Sequence, residues 1–193
     1  VIESCTATVL VNAAGPWINT VAADISPVPP TVVVELVQGA HLLLEGRIEH
    51  GAYYLEAPAD RRAVFVLPWK GRTLLGTTET LYTGDPALVI PLPAEEAYLL
   101  ETLRHYFPRR PRLVVDRFAG LRVLPAAENT LSARSRETRL VTDNARRPRI
   151  VAIYGGKLTG YRATAQRVMG LLRRTLPARA PVADTARLEL KPD

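Results

Sequence analysis

Apolar runs of strand length dominate the first ninety residues, and helical spacing appears later. Thr6 to Val11 is a β-branched run that predicts a strand, ending in Asn12-Ala13-Ala14-Gly15-Pro16-Trp17. Small residues and a glycine at the carboxyl end of a strand let another backbone or a ligand come close, and Pro16 suits the first turn of a helix. Residues 32–37 and 41–45 flank Gln38-Gly39-Ala40 and read as strand, interruption, strand. Residues 63–67 and 73–78, joined by Pro68-Trp69-Lys70-Gly71-Arg72, predict a hairpin, and consecutive strands with short turns favour an antiparallel sheet. Over 93–107 the period changes. Leu99, Leu100, Leu103, Tyr106 and Phe107 share a helical face, Glu95 and Glu96 suit the positive end of the helix dipole, and Pro108 stops the helix. Strands are predicted at about 112–124, 133–142 and 149–154. Gly155-Gly156-Lys157-Leu158-Thr159-Gly160 then leads into a last helix with Tyr161, Ala165, Val168 and Leu172 on one face and Thr159 as its N-cap.

This order predicts an α+β fold: a mostly antiparallel sheet with helices, flanked by terminal strand and helix pieces of a single α/β layer. The expected division is 1–30 and 148–176 as the two parts of that layer, 31–147 as an inserted sheet domain, and 177–193 as a tail. In such layers ligands sit at the carboxyl ends of the strands and between domains.

The chain has 193 residues, 47% of them hydrophobic, enough to bury a core and too apolar for a disordered chain. A single cysteine excludes a disulfide framework or a Cys-based metal site; Cys5, in an apolar run, is expected to be a small buried hydrophobe, consistent with a reducing compartment. No apolar run reaches the length of a membrane span and no signal-peptide series is present. The chain starts at Val1, directly in an apolar run, and reads as a piece of a longer polypeptide.

Charge divides the chain. Residues 1–103 carry 5 basic and 12 acidic side chains, a balance of −7, whereas residues 104–174 carry 17 basic and 4 acidic, a balance of +13. A basic half of this kind points to an anionic partner: nucleic acid, a membrane surface, or a phosphorylated or carboxylated small molecule.

Two features suit an anion. Gly155-Gly156-Lys157, between a strand and a helix start, combines close backbone approach, unpaired helix N–H groups and a full charge, although a plain glycine-rich turn reads the same way. It has the spacing of neither a Walker loop nor G-x-G-x-x-G. Among Arg117, Arg122, Arg134, Arg136 and Arg139, Arg122 stands out because its neighbours, Phe118-Ala119-Gly120-Leu121 and Val123-Leu124-Pro125, are apolar. A guanidinium in such company needs a fixed carboxylate or phosphate. Arg134, Arg139, Arg109 and Arg110 read as an ordinary solvated edge. His105 and His50 read as solvated and turn residues, and His41 as either a satisfied structural histidine or a base. No H-E-x-x-H, G-x-S-x-G or clustered metal ligands occur, which disfavours zinc enzymes and serine hydrolases.

Three segments together resemble the FAD-dependent (respiratory) glycerol-3-phosphate dehydrogenases of the D-amino-acid-oxidase-like flavoprotein superfamily. They are Val11-Asn12-Ala13-Ala14-Gly15-Pro16-Trp17, Gly76-Thr77-Thr78-Glu79-Thr80 with Tyr82-Thr83-Gly84-Asp85-Pro86, and Tyr154-Gly155-Gly156-Lys157-Leu158-Thr159-Gly160-Tyr161-Arg162, with Ala119-Gly120-Leu121-Arg122 in order between them. The resemblance implies oxidation of sn-glycerol 3-phosphate to dihydroxyacetone phosphate, with hydride passing to FAD and electrons to a quinone. It implies that Arg122, Arg136 and Lys157 gather around the substrate, that His41 and Lys157 are catalytic, and that Ala14, Gly15, Pro16, Gly155, Gly156, Leu158 and Thr159 line FAD. The sheet becomes a substrate-binding lobe and the flanking pieces parts of an FAD-binding domain. The implied location is cytoplasmic and peripheral on the cytoplasmic membrane, whose anionic surface is a further partner.

Gly160 stands where the family has a second threonine, Val123 where it has a proline, and the βαβ unit with G-x-G-x-x-G that holds the adenosine diphosphate of FAD does not occur in the chain. The expectation is therefore a piece that binds FAD weakly or not at all by itself and is inactive alone. Two other readings compete: the corresponding lobe of an amine or amino-acid oxidase, which needs a carboxylate anchor rather than several cations, and a non-catalytic module binding acidic membrane or nucleic acid. Nucleic acid is not expected, because aromatic residues are sparse in the basic half.

Overall fold

The computed structural model describes residues 4–126, 137–180 and 182–188. They form two compact units, Val1–Val33 with Ser135–Asp193 and Val34–Arg134.

In the first unit β1 (Leu10–Asn12) runs parallel to β9 (Ile150–Tyr154), which pairs antiparallel with β8 (Arg139–Thr142). Strand β1 is followed by a 3-10 turn at Gly15–Trp17 with Pro16 inside it and by α1 (Ile18–Ala23); β9 is followed by a 3-10 turn at Leu158–Gly160 and by α3 (Tyr161–Leu172). Val151, Val168 and Leu172 make the core, with Val9, Leu140, Ile153 and Leu176 packed around them. The Tyr154 hydroxyl, on a fully buried ring, donates to Asn19 Oδ1 at 2.9 Å and ties α1 to β9.

The second unit is a six-stranded sheet built on the long strand β2 (Val34–Leu44). β7 (Val114–Pro125) pairs along the whole of one edge of β2. The other edge is shared by β5 (Arg72–Gly76) and β6 (Thr80–Tyr82), and β4 (Ala63–Trp69) and β3 (Tyr53–Glu56) extend the sheet beyond β5. Every one of these pairings is antiparallel, as expected of strands joined by short turns. Helix α2 (Pro93–Tyr106) covers one face, where Leu99 and Leu103 meet Leu42, Leu44, Val64, Val66 and Leu75 in a single core. Since side chains alternate across a strand, the even residues of β2 face this core and the odd residues Gly39 and His41 face away.

The α+β class, the 63–78 hairpin, the 93–106 helix and the buried 150–154 strand are as the sequence predicts. Five details differ. The first strand starts only at Leu10, and Cys5, outside its ladder, is exposed rather than buried. Residues 34–44 form one unbroken strand, because Gly39 marks a close approach instead of a break. The strand expected at 133–142 is described over 139–142 and pairs with β9, so the first unit resumes ahead of residue 148. Thr159 lies within a 3-10 turn, and the cap position of α3 is Gly160, which has no side chain to give. On α3 itself Val168 and Leu172 are buried, whereas Tyr161 and Ala165 are exposed. Among the described residues no helix is long and apolar enough to cross a membrane.

Candidate functional site

The face of the second unit's sheet that turns away from α2 carries its chemistry. Cross-strand register places His41 opposite Gly76 of β5 and Phe118 of β7, and places Gly39 opposite Gly120. Gly76 is a requirement of this arrangement: a Cβ there would fall well inside contact distance of the His41 ring, so its absence lets the imidazole lie across the strand. The ring stacks on Phe118 with centroids 5.1 Å apart and planes 7° from parallel. His41 Nδ1 is buried with no hydrogen-bond partner. Burial, and after it the positive charge of Arg122, hold the imidazole below its ordinary pKa, against a smaller opposing contribution from the Gly39 backbone. Both effects favour the uncharged imidazole.

Arg122 comes from β7, two strand positions beyond Gly120. Its guanidinium reaches Thr77 Oγ1, the Thr78 carbonyl and Glu79 Oε1, each at 3.5 Å. The Glu79 side chain is only 6% exposed and also pairs with Arg62, so two guanidiniums share one buried carboxylate. A guanidinium fixed in this way presents planar N–H donors of the kind that bind carboxylate or phosphate. Gly39 provides room: a Cβ there would lie 2.6 Å from Thr77 Oγ1 and 3.1 Å from Arg122 Nη2.

His41 and Arg122 thus lie together on one sheet face. The remaining expected residues belong to the first unit. Lys157 is exposed at the end of the β9 loop. Because β1 and β9 are parallel neighbours, their carboxyl ends carry Ala14-Gly15-Pro16 and Gly155-Gly156-Lys157-Leu158-Thr159 on adjacent loops. Arg136 lies outside the described residues.

The loops of the first unit fit the ring end of FAD. Gly15, at φ +55°, has open space where a side chain would stand, and buried Asn12 braces the turn by accepting from Ala14 N and donating to the Ile18 carbonyl. Gly155 and Gly156 both have positive φ, and a Cβ on Gly156 would lie 2.5 Å from Thr138 Oγ1. Leu158 and Tyr161 follow, 89% and 64% exposed, a bare apolar surface of the kind that a planar ring system covers.

Several residues of the cluster carry no single-residue signal. Glu79 and Arg62 are paired only by the fold, and the one hint is that Thr78, Glu79 and Thr80 alternate in character. Glu95 is not merely a dipole partner: it is 5% exposed and accepts hydrogen bonds from Gln38, Thr78, Thr80 and the Leu92 backbone. Arg110 is not a solvated edge residue, since it donates to the Gly46 carbonyl at 2.8 Å and to Thr73 Oγ1 at 2.5 Å.

The profile of the FAD dependent oxidoreductase family, DAO, matches residues 1–165. The chain belongs to this family. It is 34% identical over 178 residues to a glycerol-3-phosphate dehydrogenase of Pseudomonas aeruginosa, covering 89% of this chain and 35% of that protein. A D-erythritol 1-phosphate dehydrogenase of Brucella abortus is 30% identical over 172 residues, covering 87% of this chain and 34% of the relative. The solved structure of the glycerol-3-phosphate dehydrogenase from Bacillus halodurans complexed with FAD superposes with a TM-score of 0.73 at 29% identity, over 91% of this chain and 34% of that one. The chain therefore spans about a third of the length of these relatives, and the DAO fold accounts for its combination of a β1–β9 layer with an inserted antiparallel sheet.

Proposed function

We propose that this chain is the substrate-binding part of a flavoprotein that oxidises sn-glycerol 3-phosphate to dihydroxyacetone phosphate and passes the electrons to a quinone. The observation that carries the reading is the pairing of two guanidiniums, Arg122 and Arg62, around Glu79, together with the half-buried His41 imidazole on one sheet face with Arg122. The names of the relatives support a phosphorylated polyol rather than an amino acid as the substrate.

Arg122 binds the phosphate by charge-assisted hydrogen bonds. Fixing the phosphate fixes C2, so that the carbon is presented in one orientation to the acceptor, an entropic gain made before the reaction. The His41 imidazole takes the proton of the C2 hydroxyl, and its lowered pKa favours the uncharged form that can accept it. Bound FAD supplies the two-electron acceptor for the hydride that leaves C2. The loops at Ala14–Pro16 and Gly155–Thr159 would hold that ring, and Phe118 stacks on the His41 imidazole. The enzyme acts at the cytoplasmic face of a membrane, where a quinone is within reach and anionic lipid attracts the basic half of the chain.

The test is the chain joined to a nucleotide-binding βαβ segment. The expected protein is yellow and is bleached anaerobically by glycerol 3-phosphate; bleaching by an amino acid and not by the phosphate ester overturns the reading. Gly39→Ala in that protein is expected to raise the apparent KM for glycerol 3-phosphate about tenfold, because its methyl group displaces Arg122 or Thr77 from their positions. Steady-state kinetics check this, and a wild-type KM means that the cluster tolerates the displacement.

A further inference from the structure

Alternate side chains of Thr78-Glu79-Thr80 are used on opposite sides. Glu79 turns to Arg122 and Arg62, while Thr78 and Thr80 send their hydroxyls to the same oxygen of Glu95, at 2.6 and 2.8 Å. The other Glu95 oxygen accepts from Gln38 Nε2 at 2.5 Å and from the Leu92 N–H at 2.9 Å. Thr78 Oγ1 in turn accepts from the Ala40 N–H at 2.9 Å, and Gln38 Nε2 also donates to the Ile90 carbonyl. One carboxylate at the first turn of α2 therefore ties together β2, the segment between β5 and β6, and its own helix.

Nothing in helix formation requires this. A first-turn acid serves the dipole equally well from the surface. Burying a carboxylate beside the Leu99 and Leu103 core costs several kcal/mol unless its oxygens are satisfied. Here four donors satisfy them. Burial alone would raise the Glu95 pKa, but the Leu92 N–H, the two threonine hydroxyls and the Gln38 amide outweigh it and keep the group ionised. What this arrangement fixes is the course of residues 78–80, and with it the Glu79 carboxylate and the Thr78 carbonyl, both of which Arg122 contacts.

We propose that Glu95 is a positioning residue of the substrate site: through Thr78 and Thr80 it holds the Glu79 side of the cluster in place and so sets the direction in which Arg122 presents its guanidinium. This rests on the reading of Arg122 as the phosphate-binding cation. Glu95 touches neither substrate nor cofactor. Its effect on the anchoring of the phosphate is transmitted through Arg122.

The experiment is a set of double-mutant cycles in the complete flavoprotein, with flavin content and thermal midpoint recorded for each variant. Glu95→Gln is expected to raise the KM for glycerol 3-phosphate about tenfold with little change in kcat, and Thr80→Val about threefold, in proportion to the hydrogen bonds lost. In an Arg122→Ala background neither substitution is expected to raise KM further, because the group they aim is gone. A merely structural Glu95 gives effects that multiply with that of Arg122→Ala, and this result overturns the proposal. Should Glu95→Gln fail to accumulate as folded protein, Thr80→Val carries the same criterion, and a wild-type KM in that variant also overturns it. If Arg122→Ala by itself leaves KM unchanged, it is the phosphate-binding reading that falls; a raised KM that multiplies with Glu95→Gln removes only the role of Glu95.

Discussion

Arg122→Ala in the complete flavoprotein is expected to raise the apparent KM for glycerol 3-phosphate by roughly 10- to 150-fold, the equivalent of the ~1.5–3 kcal/mol lost with a hydrogen bond to a charged group. The fold should survive the change. Glu79 keeps Arg62 as an ion-pair partner when Arg122 is removed, so no buried carboxylate is left without a cation. Since the lost contact is with the phosphate and not with the reacting carbon, most of the effect falls on KM. The remainder, in kcat, reports how far C2 drifts once the phosphate is no longer anchored. Arg122→Lys separates charge from geometry. A lysine restores the positive charge but not the planar fork, so it should recover only part of the affinity, and an enzyme fully rescued by lysine would show that charge alone is required. Initial-rate measurements against substrate concentration decide the matter, and an unchanged KM in Arg122→Ala removes the residue from phosphate binding.

The importance of Arg122 was legible in the sequence because the signal is local. A charged residue flanked by Phe118-Ala119-Gly120-Leu121 and Val123-Leu124-Pro125 cannot be explained by ordinary solvent display. Helix α2 was legible for a similar reason: leucine spacing, acidic residues in the first turn and a terminating proline all lie within fifteen residues. Gly39 shows where local reading stops. Glycine inside an apolar run is compatible with a break or with a close approach, and the groups that decide between them, Thr77 and Arg122, are far away in the chain. The same holds for Glu95. Its sequence neighbourhood describes a helix start, while its role is set by Gln38 from β2 and by Thr78 and Thr80 from the segment beyond β5. Arg110 is a parallel case, since the carbonyl and hydroxyl that hold it belong to Gly46 and Thr73, distant in the chain. The fold class and the candidacy of Arg122 follow from neighbours in sequence; its ion pair with Glu79 and the hydrogen bonds of Glu95 follow from neighbours in space.

His41→Gln is expected to have the largest effect, a fall in kcat of about 10²- to 10⁴-fold, the range for loss of a positioned general base. Glutamine is close to the imidazole in size and keeps the space above Gly76 filled, so the Phe118 side of the site stays packed while the proton acceptor is removed. The pH profile identifies the base independently of the size of this loss. In the wild-type enzyme burial and the Arg122 charge both disfavour the imidazolium, so His41 is protonated only below its ordinary pKa of 6.5 and the acid limb of kcat/KM lies below that value. Arg122→Ala removes the nearby cation. The pKa of His41 then rises, and the acid limb of kcat/KM moves to higher pH in that variant, while burial still holds it under the ordinary value. The direction is diagnostic: a substitution that only weakened substrate binding would lower the whole profile without displacing the limb. An acid limb that stays in place in Arg122→Ala, together with a wild-type kcat in His41→Gln, would assign the proton to another group.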